Sequence, residues 1–207
     1  GDVPQALDHA RAAAQQAMAK QQADGSWPWN PETVGGGGLK TQARLDLMGQ
    51  IGDSATGFTA SAAMPVRQYA LATGDPAAID SLRRAVAWCN LQRRPEGAQA
   101  WELHLHVPDV LAAPYLMQIN LGMYQITGDA SYLTAANKWA WSGLPFTYLW
   151  NAYYRPLMRY GTIPVFGVTF HDIQPWFGVI VQWNGLLYAK ALTDLARFQP
   201  TDGVMDW

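Results

Sequence analysis

The chain has 207 residues, 49% of them apolar and only 14% charged, with a formal net charge of −2 at pH 7. That length supports one domain with a substantial core, and a near-neutral balance without a basic stripe excludes nucleic acid as an expected partner. Apolar runs that break well short of about 18 residues exclude a membrane-spanning helix, while the single Cys89 excludes an internal disulfide and a cysteine-based zinc site and reads as a core residue.

The chain opens on Gly1-Asp2-Val3-Pro4 with no charged-then-apolar leader, so any targeting peptide is expected to have been removed already. The compartment stays open, with the periplasm or export as the expectation. Residues 4–22 are predicted to form the first helix, with Ala6, Leu7, Ala10, Ala14, Ala17 and Met18 as its apolar stripe and His9 facing solvent. Asp24-Gly25-Ser26-Trp27-Pro28-Trp29 then reads as a strongly punctuated turn. The run Gly35-Gly36-Gly37-Gly38 is too costly in chain entropy for regular structure. With no preceding strand and no Gly-Lys-Ser/Thr ending it is not a phosphate loop, and we read it as a flexible loop over a site. A short helix from about Leu39 to Gly49 is expected next, then a helix over 57–73 with Pro65 as a kink or late start.

Thr73-Gly74-Asp75-Pro76 closes that helix and opens another over 76–93. Gly74 suits the left-handed residue after a helix, Asp75 the N-cap and Pro76 the first helical position. Ile79, Leu82, Ala85, Val86 and Cys89 form the stripe of this helix, with Arg83, Arg84 and Arg93 outside. The arrangement repeats 54 residues on: an amphipathic helix over 109–127, the turn Thr127-Gly128-Asp129, and a partner helix over 130–142 that carries Trp139 and Trp141 into the core. Two such units are αα-hairpins of one design, and their turns cap helices without chemistry of their own. Residues 143–180 read as a long aromatic loop with a short strand within 162–169, and long loops of this kind are more often functional. A final helix over 179–198 has Trp183, Leu186, Leu187, Ala191, Leu192 and Leu195 as its apolar set, and Pro200 ends it.

Between the hairpins lies Trp101-Glu102-Leu103-His104-Leu105-His106-Val107-Pro108-Asp109, where apolar and polar residues alternate as in an extended segment. Glu102, His104 and His106 would share one face. Asp109 would cap the next helix. Two of the four histidines and two of the sixteen acids fall in these nine residues, so a chemical site is sought here first.

The paired helices with Thr-Gly-Asp turns, and the Gln21…Asp24-Gly25-Ser26-Trp27 element, resemble the six-hairpin glycosidase-like (α/α) toroids. That superfamily includes glycoside hydrolases and polysaccharide lyases, and terpene cyclases share the architecture. The Gln-Trp element resembles the QW-type motif, in which the Gln side chain and Trp ring lock a helix end to the next turn. Segments 101–110 and 139–191, with Ile163-Pro164-Val165-Phe166-Gly167 and Val181-Gln182-Trp183, also look like uncharacterised bacterial proteins of this toroid type. The resemblance implies an all-α toroid-type domain over 1–207, with at most a short strand or two. The six or seven helices read from the sequence are about half those of a closed ring, so a partial ring is expected, with a partner chain or further segment covering its apolar faces. No terpene-cyclase Asp-x-Asp-Asp motif occurs.

The leading expectation is a glycoside hydrolase-like protein that binds an oligo- or polysaccharide in an aromatic cleft. Glu102 would be the acid, its pKa raised beside Trp101, and Asp109 the base, held ionised at a helix N-terminus. Trp101, His104, Trp150, Tyr154, Arg159, Tyr160, His171, Asp172 and Trp176 are the expected binding set. In a lyase-like alternative His106 or Tyr160 removes the proton beside a uronate carboxylate, which Arg155 or Arg159 neutralises. A third reading is a non-catalytic helical scaffold whose aromatic loops bind glycan or protein. A metal site would draw on His104, His106 and Glu102, with two imidazoles on one face as in some zinc sites, or on His171 and Asp172, but no third ligand has a set spacing, so no metal or other cofactor is expected. Loop tryptophans such as Trp27 and Trp29 could equally plug the ends of the core.

Overall fold

The computed structural model describes residues 3–30, 48–100, 104–147 and 181–199. Its elements are helices: α1 Val3–Met18, α2 Thr56–Ala62, α3 Met64–Thr73, α4 Pro76–Asn90, α5 Ala112–Thr127, α6 Ala130–Gly143, a 3-10 turn Leu144–Phe146, and α7 Gln182–Ala196. Among the described residues the sole β-type pairing is an isolated antiparallel bridge between Glu96 and Pro108. The all-α class therefore holds. The short helix expected before Gly49, the tetraglycine run, the strand within 162–169 and most of the aromatic loop lie outside the described residues.

The helix ends follow local chemistry. Pro65 starts α3 late: the chain breaks at Ala63 and the proline falls in the first turn of α3, where its missing N–H costs nothing. The two Thr-Gly-Asp turns are near copies. Gly74 and Gly128 have φ of +70° and +72° and donate to Ala70 and Tyr124 carbonyls at 2.8 Å each. Thr73 and Thr127 hydroxyls donate back to Tyr69 and Met123 carbonyls and accept from the Asp75 and Asp129 N–H groups. Asp75 accepts from Ala77 and Ala78, Asp129 from Ser131. Those donors also hold the Asp129 carboxyl below its ordinary pKa.

The centre of the fold is α5, which packs against α2, α3, α4, α6 and α7. It was expected to be amphipathic, but from Ala112 to Met123 every residue except Tyr115 is buried, so its apolar character runs all round. Each fully buried Leu, Ile or Met contributes about 1.5–3 kcal/mol, and Leu116, Met117, Ile119, Leu121 and Met123 all sit on this helix. Two buried amides on α5 are satisfied by neighbours. Asn120 exchanges hydrogen bonds with Asn90 at 2.9 and 3.2 Å and donates to the Leu116 carbonyl, and Trp139 Nε1 also donates to Asn90. Gln118 donates to Asp194 on α7.

Two faces differ from expectation. Trp139 is fully buried, but Trp141 is 51% exposed. On α7 the inward residues are Asn184, Gly185, Tyr188, Ala191, Leu192 and Leu195, while Trp183 and Leu186 face outward. The helix turns this way because polar side chains find partners inside: Tyr188 donates to the Ala140 carbonyl at 2.6 Å, and Asn184 reaches Gln99. Burial pushes the Tyr188 phenol up to about 12. Cys89 lies in the core as expected, burial pushing its thiol up, and His9 faces solvent. No helix among the described residues is long and apolar enough to cross a membrane.

Candidate functional site

The stretch after residue 103 is not a strand. Val107 N–H donates to the His104 carbonyl at 3.1 Å, closing a turn, and Leu105 N–H donates to Met48 at 2.7 Å. Leu105 is thereby buried with Trp29, Met48, Ala55 and Ala100 in a second small core, and His106 is turned outward. His104 and His106 thus sit two residues apart across a turn rather than side by side on a strand.

Asp109 does not cap α5 in the expected way. Its carbonyl accepts from Ala112 and that of Val110 accepts from Ala113, so the chain enters α5 through tighter turns and the helix begins at Ala112. The carboxylate is 1% exposed and accepts four hydrogen bonds: Ala98 N–H and Gln99 N–H on Oδ2 at 2.9 and 2.7 Å, Leu111 N–H and Gln99 Nε2 on Oδ1 at 2.9 Å each. Burial raises its pKa, opposed by these same N–H donors. Neither oxygen is left for a substrate. Gln99 extends the network by accepting from Trp183 Nε1 at 3.3 Å and Asn184 Nδ2 at 3.4 Å, which ties α7 to this loop.

On the solvent side of the same loop stands a group of charged residues. His106 Nδ1 lies 3.0 Å from Glu96 Oε1, and its Nε2 lies 3.6 Å from Asp53 Oδ2. Arg94 holds the other Glu96 oxygen at 2.6 Å and donates to the His106 carbonyl at 2.9 Å. The His106 side chain is 50% exposed and Glu96 only 16%. Glu96 is fixed because Thr56, at the start of α2, accepts from its N–H at 3.0 Å while Gly57 donates to its carbonyl at 2.7 Å. Asp53 is carried by the Gln50–Asp53 turn, which is hydrogen-bonded to Trp29 in both directions.

Trp29 leads back to the Gln-Trp element, whose side chains tie the end of α1 to the next turn. Gln21 Nε2 donates to the Gly25 and Ser81 carbonyls at 2.9 Å each, the Ser81 hydroxyl donates to Gln21 Oε1 at 2.7 Å, and Trp27 Nε1 donates to Ala17 at 2.9 Å. Asp24 accepts from Ser26 N–H and hydroxyl, which holds its carboxyl below the ordinary value. Trp27 and Trp29 are 2% and 1% exposed, so they plug the core rather than form a platform. Beside them, a groove of about 720 Å³ runs between α1 and the α2–α3 corner, lined by Gln16, Lys20, Trp27, Asn30, Phe58 and Pro65 among others.

Of the expected site residues the structure places three. His106 is exposed beside two carboxylates, His104 is half-buried, and Asp109 is buried in the loop it organises. Trp101, Glu102, Trp150, Tyr154, Arg159, Tyr160, His171, Asp172 and Trp176, with Arg155, lie outside the described residues. Glu96, Asp53 and Arg94 were not anticipated. The turn signals Gly52-Asp53 and Pro95-Glu96-Gly97 mark acids on loops, but nothing local brings residues 53 and 106 together. No group of three His, Cys, Asp or Glu side chains suited to a metal ion occurs among the described residues. Comparison with known protein families, curated proteins and solved structures finds no significant match for the chain.

Proposed function

We propose that the protein is a carbohydrate-active enzyme of (α/α) toroid type in which His106 carries proton transfer, in the lyase-like form. The observation behind this reading is the imidazole held between Glu96 and Asp53 on an exposed loop, with Arg94 beside it. With Nδ1–H given to Glu96 at 3.0 Å, Nε2 carries the lone pair; at 3.6 Å from Asp53 it is open to a substrate proton. His106 takes the proton beside a uronate carboxylate, the C–O bond to the leaving sugar breaks as the double bond forms, the resulting imidazolium returns a proton to the departing oxygen, and Arg94 neutralises the carboxylate. Glu96 and Asp53 stabilise that imidazolium. The toroid reading is supported by the two matching hairpins and the Gln21–Trp27 lock.

A glycoside hydrolase built on Glu102 and Asp109 is less well supported, because both Asp109 oxygens are taken by N–H donors. The test is incubation of the protein with uronate-containing and neutral polysaccharides, followed by ultraviolet absorbance and reducing ends. Absorbance from an unsaturated uronate is expected, falling by about 10²–10⁴-fold in His106→Ala. Undiminished turnover in that variant would refute the role of His106. Reducing ends without absorbance would assign hydrolysis, and glycan binding with neither would assign a binding scaffold.

A further inference from the structure

A second polar cleft lies on another part of the molecule, where α3, α5 and α7 meet. It encloses about 240 Å³ and is lined by Arg67, Gln118, Gln125, Lys190, Asp194 and Arg197, with Leu121 and Phe198 as apolar walls. Its lining carries three cations and one carboxylate, a local charge of +2 in a chain whose formal net charge is −2.

Arg67 is the unusual member. Its guanidinium is drawn in over α5, with Nε donating to the Gln118 carbonyl at 2.6 Å and Nη2 to Gln125 at 3.4 Å. Gly122 makes room for it: a Cβ there would stand 2.8 Å from Arg67 Cγ and 2.9 Å from Nε. Among the described residues no carboxylate pairs with Arg67 within 4 Å, and Asp194 is the acid whose charge reaches it. Burial lowers its pKa, yet a guanidinium starts so far above neutrality that it stays charged. A half-buried cation without a partner anion is costly, and a bound anion would remove that cost.

Asp194 is already committed. It accepts from Lys190 at 2.5 Å and Gln118 at 2.7 Å, and lies 3.6 Å from Arg197. It therefore gathers the two exposed cations of the cleft and neutralises only one charge of the three.

We infer that this cleft is a binding site for a phosphate group, either the free ion or a small phosphate monoester. The charge matches: a phosphate monoester carries about −1.5 to −2 at pH 7 and offers three acceptor oxygens, against a lining of +2. A single carboxylate would leave half of that charge uncompensated. The guanidinium supplies directional donors, and Lys190 and Arg197 supply charges on flexible stems.

The test is calorimetric titration of the whole protein with inorganic phosphate and with glycerol phosphate, at matched ionic strength against acetate and chloride. Phosphate is expected to bind with a Kd below about 1 mM. Binding should weaken at least about tenfold in Lys190→Gln/Arg197→Gln, whose substitutions are exposed and leave the core intact, and be lost in Arg67→Gln. Asp194→Asn should bind phosphate more tightly, because the competing carboxylate is gone. If glycerol phosphate binds better than phosphate, the occupant is a monoester. If phosphate binds no better than acetate, or equally well to the Lys190/Arg197 double variant, the inference fails.

Discussion

Replacing Asp109 by Ala is the sharpest test of what the loop 94–111 depends on. The substitution leaves three backbone N–H groups, of Ala98, Gln99 and Leu111, and the Gln99 side-chain amide without their acceptor in a buried setting. Each stranded donor costs about 1–3 kcal/mol. Removing a desolvated carboxylate returns part of that sum, as the raised pKa of Asp109 indicates. A net loss of about 4 kcal/mol is expected, a large share of the roughly 5–15 kcal/mol that holds a domain folded. Asp109→Asn keeps one oxygen but turns an NH2 toward N–H donors, and about 2 kcal/mol is expected. Urea unfolding followed by far-ultraviolet circular dichroism measures both as shifts in midpoint at constant slope. If Asp109→Ala lies within about 0.5 kcal/mol of the parent, the carboxylate is not structural and the acid–base role returns to it.

Gly25→Ala should destabilise strongly, by about 2 kcal/mol or more, because φ is +97° and the new Cβ would stand 2.4 Å from the Arg84 carbonyl oxygen; thermal unfolding reads the loss. Burial pushes Asp194 up, but hydrogen bonds from Lys190 and Gln118 and the charges of Lys190 and Arg197 outweigh it, so its pKa lies below the ordinary 3.8. Its stabilising contribution is therefore complete above that value and lost as pH falls through the folded one. Urea midpoints taken downward from about pH 5 should show this loss in the parent, and Asp194→Asn should lack it. Gly122→Ala gains about 1 kcal/mol of helix propensity while pushing Arg67 aside. It should stay folded yet bind inorganic phosphate more weakly, as calorimetry on the same protein would record.

The parts of the molecule legible in the sequence are those set within a few residues. The Thr-Gly-Asp turns read correctly because the glycine conformation, the threonine back-bond and the aspartate cap all act within one turn of chain. The Gln21–Trp27 lock was legible in part for the same reason, though its long arm, to Ser81, is not local. Asp109 looked like a cap because proline and aspartate before an apolar run usually start helices; here the loop 97–99 folds back, its Ala98 and Gln99 N–H groups claiming one oxygen and the Gln99 side chain the other. The partners of His106 are 10 and 53 residues away in sequence, and no pattern in the chain predicts that meeting.

Sequence alone determined that the protein is helical and where its hairpins turn. Only the tertiary structure decided which side chains of the loop 104–109 are buried and which face solvent. Periodicity reports whether a face is apolar, and α7 shows the limit of that signal: Asn184 and Tyr188 turn inward while Trp183 and Leu186 face water. A buried amide or phenol is tolerated inside where it finds a partner, and the partner lies on another element. That is also why Asp109 is sealed in the core while His106, three residues before it, is offered to solvent between Glu96 and Asp53.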